Sequence, residues 1–266
     1  MKSPVPKDEQ GRLETPGYEP TESTGSAACM ALATMWVKQC VEGHAMCRHL
    51  PSGSQRLWKP TRLVRLGSDI SQLRLDEGND IPMEVIYTTL SHCWGNIPNK
   101  PVLKLDNIKQ WKKSIPPLRD MNTFLDAIAV TRHLGVSYIW IDSLCIIQDS
   151  YADWVAESAR MCDVYKYSYC NISATRAADD REGCFVERDM RSQLPLRLHC
   201  WETELDNRTS AANATSQVLQ GIYDLHQDDL WYQEVVEGPA NQRGWIFQEV
   251  SELVLTHCYH LWDSIC

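Results

Sequence analysis

The sequence predicts an open α/β fold, a central sheet flanked by helices, and three observations predict it. Two short β-branched and aromatic runs, residues 85–90 and 136–141, each feed a loop rich in polar and aromatic side chains. Phe124, Ala127, Ile128, Thr131 and Leu134 recur at three- and four-residue spacing, which is the period of an amphipathic helix lying directly before the second run. A further helical pattern and a third short run, residues 169–173, follow that second run. Strand and helix therefore alternate, as in folds whose ligand sites lie in the loops leaving the carboxyl ends of strands.

Residues 1–26 are rich in Pro, Glu, Ser, Thr and Gly without a period and are expected to be a disordered tail, with the globular part beginning near Ala27. Residues 31–41 suggest a helix. Residues 51–82 hold two proline-punctuated stretches around a strand candidate at 62–66. The 85–90 strand runs into Ser91-His92-Cys93-Trp94-Gly95. Asn122 or Thr123 is expected to cap the next helix and Gly135 to stop it. Asp142 ends the strand at 136–141 and opens a loop that also carries Cys145, Gln148 and Asp149. Asp153 is the expected N-cap of a helix running to about Tyr167, with Trp154, Glu157, Met161 and Val164 near one face. After the 169–173 strand, residues 176–187 form a charged connection around Gly183. Residues 203–241 are polar and read as an insertion, before the dense motif Arg243-Gly244-Trp245-Ile246-Phe247-Gln248-Glu249. No internal repeat is present.

Composition excludes several classes. A chain of 266 residues with 43% hydrophobic content is long enough for a substantial core. It contains no run of 18 apolar residues, and its N-terminus, with Lys2, Lys7, Asp8, Glu9 and several prolines, lacks the apolar stretch of a secretory signal, so a soluble cytoplasmic protein without a membrane partner is expected. A net charge of -9 argues against a general nucleic-acid grip. The one basic patch, residues 104–113, reads as a solvated helix face. The 11 cysteines are odd in number and irregularly spaced, so reduced thiols rather than a disulfide framework are expected. Cys40, His44 and Cys47 would share one helix face, but Cys-x-x-Cys pairs are missing and Gly43 weakens the helix, so packing cysteines are favoured over a metal site.

Three blocks carry a resemblance. Tyr87-x-x-Leu90-Ser91-His92-x-Trp94-Gly95 is followed by Trp140-Ile141-Asp142-Ser143-Leu144-Cys145-Ile146-Ile147-Gln148-Asp149 and then by Arg243-Gly244-Trp245-x-x-Gln248-Glu249. In this order, and with Pro60-Thr61-Arg62-Leu63, Asp153-Trp154 with Glu157, and Gly183-Cys184-Phe185-x-x-Arg188 between and around them, they resemble the heterokaryon incompatibility (HET) domain of filamentous fungi. The resemblance covers about residues 36–262 and, being built from long spaced blocks, is far more specific than one short motif. Family members are often longer, so the resemblance implies either a short paralogue or a truncated last sheet near Cys266.

The resemblance implies a self/non-self recognition effector that promotes programmed cell death after hyphal fusion, a single HET-type domain over residues 27–266, and a mostly parallel sheet similar to that of TIR domains, which are flavodoxin-like. Partners implied are a second copy or an upstream recognition protein. Some TIR domains hydrolyse the nicotinamide bond of NAD, using a glutamate early in a helix and near a tryptophan. Trp154 and Glu157 occupy that kind of position. On this reading NAD or NADP is a substrate rather than a resident cofactor and Glu157 is the catalytic carboxylate. Ser91, His92 and Trp94 line the opposite wall, Asp142 and Gln148 bond ribose or water, and Arg243 positions an anionic group such as pyrophosphate. Each residue also has a plainer reading. Glu157 complements a helix N-terminus, Asp142 caps a turn, Arg243 pairs with Glu249, and Cys145, between Leu144 and Ile146, is a buried thiol rather than a nucleophile served by His92. No Gly-rich phosphate loop is present, which disfavours a dehydrogenase or an NTPase. Two classes stay open, a NAD(P) glycohydrolase and a non-catalytic signalling scaffold.

Overall fold

The computed structural model describes residues 21–43, 58–69, 72–188, 196–200, 221–225 and 237–242. Five strands form an open mixed sheet in the order β2-β1-β4-β3-β5: β1 Arg62–Arg65, β2 Arg74–Glu77, β3 Thr88–Ser91, β4 Tyr138–Trp140 and β5 Cys170–Ser173. Two further strands, β6 Leu196–Cys200 and β7 Gly221–Leu225, pair antiparallel in a separate ribbon that reaches into the stretch expected to be a polar insertion.

The expectation of a mostly parallel sheet is corrected. β3 runs parallel to both β4 and β5, but β1 runs antiparallel to both β2 and β4. Connection length explains the β1–β2 hairpin and the parallel strands linked by crossovers. Parallel neighbours need a crossover of about a dozen residues or more, usually through a helix, whereas antiparallel neighbours need only a short turn. Between β3 and β4 lie α2 Ile108–Trp111 and α3 Asn122–His133, and between β4 and β5 lie α4 Asp142–Cys145, α5 Tyr151–Ser158 and α6 Met161–Lys166. β1 and β2 are joined only by residues 66–73 and so fold back on each other.

The two crossovers cover opposite faces. Thr88 bonds the Thr131 hydroxyl on α3 at 2.7 Å, while its neighbour Thr89 faces the other side and bonds Asn171 at 2.9 Å. On that second face Trp140 packs edge-on against Tyr165 of α6 with ring centroids 5.6 Å apart. All of β3 and β4 is buried, in line with apolar runs covered on both sides. Phe124, Ile128, Leu90, Ile139, Trp140 and Leu144 belong to the same core, each burial of a large apolar side chain stabilising by roughly 1.5–3 kcal/mol.

Local signals act partly as expected. Gly135 adopts φ +74 just after α3, a left-handed stop that favours glycine. The start of α3 differs. Neither Asn122 nor Thr123 is its N-cap; the Thr123 backbone N–H donates to the Asp180 carbonyl at 3.0 Å, so a distant loop satisfies that first-turn donor, and the Asn122 side-chain amide donates to the Arg181 carbonyl of the same loop at 2.6 Å. Ser150, not Asp153, caps α5, its hydroxyl accepting from the Asp153 amide at 3.3 Å. The helix expected to continue to Tyr167 is broken at Ala159 and Arg160 into α5 and α6. Residues 21–26, assigned to the tail by composition, are bound to residues 186–188: the Thr24 amide donates to the Val186 carbonyl and Arg188 to that of Glu22. They lead into α1 Ala27–Gly43, where Cys40 is buried; His44 and Cys47 lie outside the described residues. Among the described residues no helix is long and apolar enough to cross a membrane.

Candidate functional site

The carboxyl ends of three adjacent parallel strands deliver their loops to one place. β3 runs into His92 and Trp94, β4 into Asp142, and β5 into the loop carrying Asp179 and Asp180. The first and third loops are in close contact: a Cβ on Gly95 would stand 2.2 Å from the Asp179 Cβ, and Gly95 itself has φ +61, so this position requires glycine twice over.

Four charged or titratable groups and two aromatic rings meet there. His92 is 1% exposed and Asp180 is fully buried. His92 Nε2 lies 3.3 Å from Asp180 Oδ1 and 3.9 Å from Asp142 Oδ1. The Lys100 ammonium pairs with the other Asp180 oxygen and stands 4.4 Å above the Trp94 ring. Trp94 in turn donates its indole N–H to Asp142 Oδ2 at 2.7 Å, and the Ser143 amide donates to Asp142 Oδ1 at 2.6 Å. Phe124 closes the floor, its ring edge-on to His92 with centroids 5.2 Å apart. Burial pushes the Asp180 carboxyl up to about 6 against the pull of Lys100. Such a cluster holds its charge only through its neighbours, because isolated ions at this depth are costly.

Of the sequence-predicted residues, His92, Trp94 and Asp142 are thus brought together. Gln148 supports them indirectly, its amide donating to the carbonyls of Asp142 and Ile146 and fixing the turn after α4. Ser91 points to the other face, where it bonds Asn171 at 3.0 Å. Lys100 and Asp180 escaped sequence reasoning; the signal that could have found them is their position just beyond the ends of β3 and β5, where this fold gathers its polar loops.

Glu157 belongs to a second cluster, beyond the start of β1 at the same end of the sheet. It is 4% exposed and accepts a hydrogen bond from Thr61 at 2.7 Å. Arg160 Nη1 donates to that same hydroxyl at 2.6 Å and Nη2 to the Lys59 carbonyl at 3.1 Å. Beside it, the buried Arg62 pairs with Asp153, whose carboxylate also accepts the Ile147 amide at 2.8 Å. Trp154 does not share the face of Glu157. It is 42% exposed and stacks on Tyr151 with centroids 6.2 Å apart on the outside of α5. Cys145 is fully buried, and burial pushes its thiol up to about 12, which withholds the thiolate that nucleophilic attack requires. Arg243 lies outside the described residues.

A family model described as heterokaryon incompatibility protein (HET) matches residues 87–249. The match opens on Tyr87, the first residue of the first sequence block, and closes on Glu249, the last of the third. No curated protein and no solved structure matches the chain.

Proposed function

The chain belongs to the heterokaryon incompatibility family, and from that premise we propose that it is a fungal self/non-self recognition effector that promotes programmed cell death after hyphal fusion, acting in the cytoplasm as a signalling module that assembles with copies of itself or with an upstream recogniser. The observation that carries the assembly reading is the division of labour on α5. Glu157 faces inward and is bound by Thr61, whereas Tyr151, Trp154 and Val155 on the outer side of the same helix are 80%, 42% and 44% exposed. Large aromatic side chains in solvent are the residues that contribute most to protein contacts when covered. A carboxylate already committed to a threonine hydroxyl has the environment of a structural group.

One observation favours the second reading, a NAD(P) glycohydrolase with Glu157 as the catalytic carboxylate. Thr61 and Glu157 sit at the end of the sheet to which the parallel strands point their carboxyl termini, where open α/β sheets bind ligands. In that reading assembly moves Thr61 aside and opens the carboxylate to a sugar cation.

Expression of the wild-type chain, Glu157→Gln and Trp154→Ala in a filamentous fungus tests the choice. The assembly reading expects Glu157→Gln to arrest growth like the wild type and Trp154→Ala to lose the effect at equal protein level. Loss of growth arrest in Glu157→Gln with Trp154→Ala still active overturns it in favour of catalysis.

A further inference from the structure

Next to the buried cluster, on its solvent side, residues 97–107 and 116–121 form the walls of an open groove of about 850 Å³. Its lining is cationic where it matters. Lys100, Lys104, Arg119 and Arg181 contribute four positive charges against those of Asp106 and Asp120. Lys100 and Arg181 are already matched, by Asp180 and Asp179. Lys104 and Arg119 have exposed side chains and no ion-pair partner among the described residues. Two unmatched cations facing one concavity repel each other and concentrate anions there.

The backbone supports the same site. The two non-glycine residues with positive φ among the described residues are Asn99 (φ 58) and Asp120 (φ 60), and both line this groove, one on each wall. Left-handed backbone at a residue with a side chain persists where the surroundings enforce it, and such positions cluster at ligand sites. One wall is anchored from below: Asn107 accepts the Lys104 amide at 2.8 Å and donates to the Val102 carbonyl at 3.0 Å, and the Leu105 amide is held by Asp149 at 2.9 Å. Lys104 is therefore presented from a fixed turn rather than a loose strand.

We infer that this groove is a binding site for a small phosphorylated anion of the diphosphate type, with Lys104 and Arg119 as its principal ligands and Lys100 at its inner end. A guanidinium fork suits two phosphate oxygens at once, and an ammonium opposite it suits a second phosphoryl group. Lys100 joins the site to the cluster behind it: the residue lines the groove while its ammonium is buried against Asp180. The inference does not depend on whether Glu157 is catalytic.

Isothermal titration of the purified full chain with inorganic pyrophosphate, and separately with ADP, tests it. The comparison is between wild type, the double variant Lys104→Ala/Arg119→Ala, and a control with the same change of charge outside the groove, Lys109→Ala/Lys113→Ala. All four side chains are exposed, so folding is not at stake. The groove site requires saturable binding by the wild type, weakened by about tenfold or more in the first variant and unchanged in the control. Tighter binding of ADP than pyrophosphate identifies a nucleotide as the source of the diphosphate, and equal binding identifies the phosphates alone. No saturable binding by the wild type, or equal weakening in both double variants, overturns the site.

Discussion

Thr61 Oγ1 donates to the buried Glu157 carboxylate at 2.7 Å while accepting from Arg160 at 2.6 Å, so one hydroxyl stands between an acid and a guanidinium that come from the other side of the chain. Thr61 directly precedes β1 and Glu157 lies in α5, and the hydroxyl thereby ties the start of that strand to the second crossover. Thr61→Val keeps the shape and removes both bonds, leaving Glu157 buried without this donor. A loss of about 1–3 kcal/mol in urea unfolding is expected, against less than about 1 kcal/mol for Glu157→Gln, which retains an acceptor oxygen.

The pair formed by Arg62 and Asp153 makes a larger contribution. Arg62 is 2% exposed, and removing its carboxylate leaves a buried guanidinium whose remaining ion-pair partner among the described residues is Glu77 at 3.6 Å, together with an orphaned Ile147 amide. Asp153→Ala is expected to cost about 3 kcal/mol or more, measured by the same unfolding curves, because breaking a buried pair leaves an uncompensated charge.

Asp180 sets a pH dependence. Its carboxyl titrates at about 6 in the folded chain, above its ordinary value of 3.8, because burial penalises the anion. Between those two values the folded state binds more protons than the unfolded state, so this residue's contribution to stability is greatest at the acid end and is lost as pH rises toward 6. The groups facing it are Lys100, His92, Asp142 and Asp179. Asp180→Asn is expected to flatten the decline in melting temperature between about pH 4 and 6. A slope in that window equal to that of the wild type would assign it to other carboxylates.

Cys145 and Cys170 share one chemical fate. Burial pushes each thiol up to about 12, so neither is a thiolate near neutral pH. Alkylation by iodoacetamide at about pH 8, read by peptide mass spectrometry, is expected to leave both unmodified in the native chain and to label both in denaturant.

How much of this was legible in the sequence follows the range of the forces involved. β1, β3, β4 and β5 and the helix α3 announce themselves by short-range apolar period, and Gly135 by its need for positive φ. β2 escaped because Arg-Leu-Asp-Glu reads as polar; it is a strand through its register with β1, from Arg62 opposite Glu77 to Arg65 opposite Arg74, and Leu75 and Asp76 are buried only in that pairing. Asp153 looked like a cap, but a serine at the right position competes for the same amides and frees the aspartate for Arg62. His92, Trp94 and Asp142 could be suspected from their place after strands. Their partners Lys100 and Asp180 share that placement beyond strand ends, but their pairing could not be read, since a loop-to-loop ion pair leaves no periodic trace. Trp154 and Glu157, three residues apart, seemed to share a face; the helix ends one residue after Glu157, which turns inward to 4% exposure while Trp154 lies on the outer surface at 42%.

The assembly reading is tested most directly by nicotinamide release from NAD and NADP, followed with the wild-type chain and Glu157→Gln at concentrations that favour self-association, with folding and assembly of both samples verified. The account predicts no release that depends on Glu157, since that carboxylate is held by Thr61 in a structural bond. Release by the wild type that falls by about 100-fold or more in Glu157→Gln, the loss expected when an electrostatic catalyst is removed, would contradict it and make the chain a NAD-consuming effector.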